Sequence, residues 1–289
     1  MTTAHPLRTQ AEALGATLPP LLAEAQHMAA TIVLGDHGRR QPGMGDAFWQ
    51  FRPAMPGDSL RRIDWRRSAR GDVPYVRETE WQAAQSVVLW VDGARSMAYS
   101  GARGRPPKSD RARVLALALA ILLLRGGERV GLAGHTVPPR SGRAQIDRIA
   151  EGLLDDAADY GAPVPEGLAP HGRAVFLSDF LGDLAPLESA LGRAADAGVT
   201  GALVQVLDPA EEDFPFDGRT IFESMGGSLR HETLRAGELR ARYLDRLAAR
   251  KDRVQALARA AGWQYDCHHT GQGAQLALLW LYRAMERRR

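Results

Sequence analysis

The stretch VVLWVDGARSM, residues 87–97, ends an apolar, β-branched run on Asp92 and brings a hydroxyl, Ser96, four positions later. A second run, AVFLSDF at 174–180, also ends on an aspartate, Asp179. Carboxylate and hydroxyl oxygens are the ligands that a hard cation such as Mg²⁺ takes, with water completing an octahedron. Asp92, Ser96 and Asp179 are therefore candidate metal ligands. A second chemistry is phosphotransfer or phosphate-ester hydrolysis with Asp92 as nucleophile. Such a site wants a second carboxylate two residues on, and Ala94 stands there.

Other groups invite weaker readings. Arg61, Arg62, Asp64, Trp65, Arg66 and Arg67 crowd one short stretch, PGDSLRRIDWRR. With Arg95 they are candidate protein contacts; alternatively, the mixed charges satisfy one another and seat the N-terminal segment. DPAEEDFPFDG (208–218) lacks the ligand spacing of an EF-hand and reads as a surface loop, Phe214 and Phe216 beneath and carboxylates in water. A basic partner for those carboxylates is the other reading. Cys267, His268 and His269 are consecutive, and neighbouring strand residues point to opposite faces, so the two histidines cannot share one ion. No GxxxxGKS, GxSxG or GxGxxG occurs, which leaves nucleotide and acyl-transfer chemistry unsupported.

The elements that must position Asp92 and Asp179 are strands alternating with helices from residue 84 onward. The order predicts an α/β, doubly wound, mostly parallel sheet. Strands are expected at SVVLWVD, ERVGLAGH, HGRAVFLSDF, VTGALVQVLDP and GWQYDCHHT. Helices are expected around 114–124, 143–155 and LAPLESALGRAADAG, then along an Arg-rich stretch from His231 to Ala261, and finally over 273–287. In such a sheet ligands bind beyond the carboxyl ends of strands, which puts both aspartates on the functional edge. Ahead of it, Leu18, Leu21, Leu22, Ala25, Met28, Ala29 and Ile32 recur at helical spacing. AFWQFRP and VPYVRETEW, separated by turn signals, suit paired strands. The division is thus an N-terminal helix and β-rich segment over 1–84 and an α/β domain over 85–289.

Composition narrows the class of protein. With 45% hydrophobic and 25% charged residues, the 289-residue chain reads as globular. A single cysteine excludes an internal disulfide and fits a reducing compartment. The longest apolar run, Val114 to Leu124, is too short to span a bilayer, and a cytoplasmic location is expected. Of 37 basic residues only Lys108 and Lys251 are lysines, so 35 are arginines. That skew points to coding bias more than to phosphate binding, and with a net charge of +3 nucleic acid is not an expected partner.

VDGARSM after one strand and LSDF after another resemble a von Willebrand factor type A domain. RPAMPGDSLRRIDWRRSAR (52–70) with YVRETEW (75–81), and LDPAEEDFPFDGRTIFES (207–224), are similar to the bacterial domain-of-unknown-function family 58. The resemblance implies an N-terminal β-rich segment ahead of a type A-like domain. It also implies an adaptor role with a MoxR-like AAA+ ATPase as partner, acting with this chain on an unknown client; the site itself reads as non-catalytic protein binding through the carboxyl edge of the sheet. A type A metal site carries Asp-x-Ser-x-Ser, a later threonine and a distal aspartate. Asp92, Ser96 and Asp179 match it; Ala94 replaces the middle serine, Arg95 adds a positive charge, and no threonine lies between Val137 and Val199. The motif is a degenerate one, in which Asp92 is expected to accept hydrogen bonds from the following turn and to pair with an arginine.

Overall fold

The computed structural model describes residues 25–27, 29, 39–56, 58–59, 63–69, 71, 73–135, 137–154, 161–163, 167–223 and 230–286. They form two compact units, one within 36–85 and the other within 86–289 together with residues 25–27 and 29.

In the first unit β1 (Arg39–Pro53) and β2 (Tyr75–Ala83) pair antiparallel, with Phe51 opposite Arg77 and Pro53 opposite Tyr75. These are the paired strands expected from the aromatic alternation. Between them sits one helical turn, α1 (Trp65–Ser68), whose N-cap Asp64 accepts from the Arg67 amide at 2.9 Å. Arg52 grips Asp58 through two hydrogen bonds of 2.7 Å each, closing the Pro56 turn.

The second unit is a five-stranded, all-parallel sheet in the order β4-β3-β5-β6-β9. The strands are β3 (Ser86–Val91), β4 (Arg129–Leu132), β5 (Arg173–Ser178), β6 (Thr200–Leu207) and β9 (Gln264–His269). The doubly wound α/β fold expected from the sequence is present. The apolar strand interiors arise because both faces of a parallel sheet are covered by helices.

One face carries α2 (Lys108–Arg125), α3 (Ala144–Gly152) and α7 (Ala274–Ala284), packed on Leu89, Val175 and Val204. Thirteen of the eighteen residues of α2 are buried, so it lies inside the layer and lacks a solvent stripe. Ala25 and Ala29 are buried in this same core. The other face carries α4 (Ala185–Asp196) and α6 (Arg240–Ala260). There Phe176, fully buried, meets Trp90 edge-on at 5.8 Å and Trp263 at 4.9 Å.

The remaining elements follow β6: α5 (Pro209–Asp213), then a hairpin of β7 (Thr220–Glu223) and β8 (Arg230–Thr233). This corrects the expectation of a helix beginning at His231. Residues 230–233 take ladder hydrogen bonds with β7, and Gly237 lowers helix propensity, so the helix starts only at Arg240. Among the described residues no helix is long and apolar enough to cross a membrane.

Candidate functional site

The chain steps from β3 to β4 on one side and then crosses back past β3 to β5, β6 and β9 on the other, so the winding reverses between β3 and β5. The crevice at that reversal is where doubly wound sheets bind ligands. Asp92 follows β3 and Asp179 follows β5, so the fold brings the two predicted carboxylates to that crevice. The Asp92 amide donates to Leu177 O at 2.9 Å, which ties the turn to the neighbouring strand.

Asp92 is 2% exposed, and both its oxygens are engaged. Oδ1 accepts from the Ala94 amide at 2.8 Å and Oδ2 from Ser178 Oγ at 2.6 Å. Ser178 Oγ in turn accepts from the Phe180 amide at 3.0 Å. Gly161 passes so close that a Cβ there would collide with the Asp92 carboxylate. Burial pushes the Asp92 carboxyl up from its ordinary value, against the lowering effect of the Ser178 and Ala94 hydrogen bonds. The turn amide expected from the sequence is there; in place of the expected arginine stands a serine hydroxyl.

The cation of the site is the ammonium of Lys108, on the first residue of α2. Its side chain is 1% exposed. Nζ donates to Asp179 Oδ2 at 2.8 Å and to Glu211 Oε1 at 2.6 Å, and lies 5.8 Å from the centroid of the Tyr99 ring. Burial alone would lower the Lys108 pKa, but the two carboxylates outweigh it and hold the ammonium above its ordinary value. Burial raises Glu211, with Lys108 opposing.

Glu211 is aimed by its own helix. Asp208 caps α5 through a capping box: its side chain accepts from the Ala210 amide at 2.8 Å while Glu211 Oε2 accepts from the Asp208 amide at 2.8 Å. Asp208 is itself fully buried. Its Oδ1 also accepts from Arg105 at 2.9 Å, and Oδ2 from Thr270 Oγ1 at 3.0 Å. Burial works to raise Asp208, yet these donors together hold it below the usual carboxylate range. The expectation that this acidic stretch faces water is thus corrected for Asp208 and Glu211. Capping turns both inward. Phe214 is buried beneath the stretch, as expected.

These donors do not suit Mg²⁺. Asp179 Oδ1 accepts from the Leu181 amide at 3.0 Å and Oδ2 from Lys108, so both predicted carboxylates are committed to protein donors. Ser96 Oγ is buried and has no hydrogen-bond partner among the described residues. An octahedral ion would have to share the cluster with a buried ammonium.

A second group lies at the end of β9. Glu212, Cys267 and His269 place ligand atoms within 4.8 Å of one another. Cys267 and His269, two apart on the strand, share a face, while His268 lies between them and approaches Arg111 at 3.2 Å. Lys251 pairs with Glu212, and His269 Nδ1 lies 2.6 Å from the same carboxylate. Burial pushes the Cys267 thiol up. These three residues could hold a soft ion only with Lys251 drawn aside. Sequence reasoning did not reach this group, because Glu212 comes from another element.

The predicted contact residues distribute differently. Arg61 and Arg62 lie outside the described residues. Asp64 caps α1, and Trp65 is 62% exposed. Arg67 lies over the Phe51 ring at 4.6 Å from its centroid. Arg95 is exposed on the turn after Asp92.

The family described as Protein of unknown function DUF58 matches residues 50–253. Similar chains include the uncharacterized proteins Rv1480 of Mycobacterium tuberculosis (strain ATCC 25618 / H37Rv) and Mb1516 of Mycobacterium bovis (strain ATCC BAA-935 / AF2122/97). Each is 28% identical over 265 residues, spanning 86% of this chain and 82% of the relative. Among solved structures, the conserved hypothetical protein BatB from Bacteroides thetaiotaomicron aligns at 14% identity with a TM-score of 0.42, over 70% of this chain and 98% of that one. An aerotolerance-related membrane protein from Bacteroides fragilis NCTC 9343 aligns at 16% identity with a TM-score of 0.43, over 70% and 98%.

Proposed function

The chain belongs to the DUF58 family, and on that premise we propose that it is a non-catalytic protein-binding module that engages its partner through the carboxyl edge of the sheet. One observation carries the reading. The carboxylates that a phosphotransfer or metal-assisted reaction would use are already engaged from within: Asp179 by the Lys108 ammonium, Asp92 by the Ser178 hydroxyl and the Ala94 amide. A carboxylate whose oxygens are both held by protein donors is a weaker nucleophile than a free one. What the edge keeps is a fixed arrangement of charge and shape, which suits recognition.

The partner proposed from the resemblance is a MoxR-like AAA+ ATPase, with this chain as adaptor toward a client, in the cytoplasm. The test is capture of the purified ATPase by the immobilised full chain. Wild type is expected to retain it, and Arg95→Glu and Asp179→Asn to release it while circular dichroism shows an intact fold. Failure of the wild type to capture the ATPase would remove the partner. Steady turnover of p-nitrophenyl phosphate, abolished by Asp92→Asn, would replace the reading with hydrolysis.

A further inference from the structure

Past Glu211 the carboxyl edge opens into a cavity of about 540 Å³. Its floor is aromatic. The Phe214 ring packs edge-on to Phe216 at 5.2 Å, stacks on Phe222 at 5.8 Å and tilts against Tyr243 at 4.9 Å. These rings come from the loop after α5, from β7 and from α6. Phe214 stands at φ 42°, a left-handed conformation that a side chain of this size rarely takes. It lets the chain reverse at the end of α5 and turn the ring into the cluster.

The rim is basic. Arg242 and Arg246 are four residues apart on α6, hence on one face, and both are exposed and line the cavity. Neither has a carboxylate partner among the described residues, whereas Arg105, Arg219, Arg235 and Arg253 are each paired with an acid. The one acid lining the cavity, Glu211, is already held by Lys108 at 2.6 Å. The cavity therefore has an apolar floor and uncompensated positive charge, at the edge where the partner is proposed to bind.

We infer that this cavity receives an acidic-apolar segment of a partner protein: an aromatic or aliphatic side chain against Phe214, Phe216 and Phe222, and an adjoining carboxylate held by Arg242 and Arg246. The inference rests on the protein-binding reading. Guanidinium groups spaced one helical turn apart can share one carboxylate or take two. Interface hot spots are enriched in Trp, Tyr and Arg and cluster in well-packed, desolvated pockets.

The probe is a fluorescein-labelled, capped peptide with a central Phe-Leu flanked on each side by two glutamates. A matching peptide carries lysine flanks, and anisotropy is read with the full chain. The acidic peptide is expected to bind at least tenfold more tightly than the basic one. The double variant Arg242→Glu, Arg246→Glu is expected to lose at least tenfold, while Arg253→Glu, on the same helix but away from the cavity, binds as wild type. Equal affinity for the two peptides, or a double variant that binds as wild type, overturns the inference. So does binding of anilinonaphthalene sulfonate with no peptide binding, which would assign the cavity to a small molecule. If the double variant still captures the ATPase while the peptide fails, the cavity inference falls and the adaptor reading stands. If the peptide result holds and wild type captures no ATPase, the named partner falls and the cavity stands.

Discussion

Lys108 Nζ stands 2.8 Å from Asp179 Oδ2, with both side chains at most 2% exposed. Breaking a buried pair from one side leaves an uncompensated charge, which typically costs about 3–5 kcal/mol. Lys108→Met keeps the length of the side chain and removes its charge, stranding Asp179 and Glu211 together. A fall in unfolding free energy of about that size is expected in urea titration at pH 7. Lys108→Arg is expected to recover little of it, because a planar fork does not fit where a compact ammonium sits.

A protein-borne cation makes divalent metal unnecessary at this edge. ATPase capture is expected to be the same in excess EDTA and in millimolar Mg²⁺. Lys108→Ala opens space between two carboxylates, and there Mg²⁺ is expected to return part of the lost stability. Thermal melts of wild type and variant, with and without the ion, check both statements. A wild-type melt that rises with Mg²⁺ and loses that rise in Asp179→Asn would restore the metal site.

Stability should depend on pH through opposing groups. Asp92 and Glu211 are raised in the folded state, chiefly by burial. A raised carboxyl contributes stability below its unfolded value and loses it as pH climbs through the folded one. His268 is lowered to about 4 by burial and by Arg111. It contributes above its ordinary value of 6.5 and loses that contribution as pH falls toward about 4. His268→Gln is therefore expected to flatten the loss between those two values, and Asp92→Asn to remove part of the opposing gain as pH falls. Urea midpoints across that range separate the two slopes.

Cys267 should be a slow nucleophile. Burial raises its thiol, and only the thiolate reacts. At pH 7.5 iodoacetamide is expected to modify the folded chain many times more slowly than the chain in urea, as read by intact mass. A folded chain alkylated as fast as the unfolded one would contradict this environment.

Much of the fold was legible because a parallel sheet covered on both faces writes its strands as unbroken apolar runs, and β3, β5 and β6 do so. Asp92 and Asp179 could be placed at one edge for the same reason. Their partners could not. Lys108 lies ahead of the helix expected at 114–124, and Glu211 reads as one acid among five until capping by Asp208 turns it inward. One signal was available: in a chain that uses arginine 35 times, lysine survives at two positions, and each lies against a carboxylate of the Glu211-Glu212 pair. The β7–β8 hairpin was missed because its four-residue strands are too short to show a period beside the helical stretch that follows.

That adjacent pair of glutamates makes the five-residue α5 a crossbar. Glu211 fastens the start of α2, and Glu212 fastens Lys251 of α6 and His269 at the end of β9. Elements far apart in the chain are thus latched by neighbouring residues on a rod too short to bend. A force applied at the end of α5 by a bound partner would reach the central helix and the sheet's outer strand together.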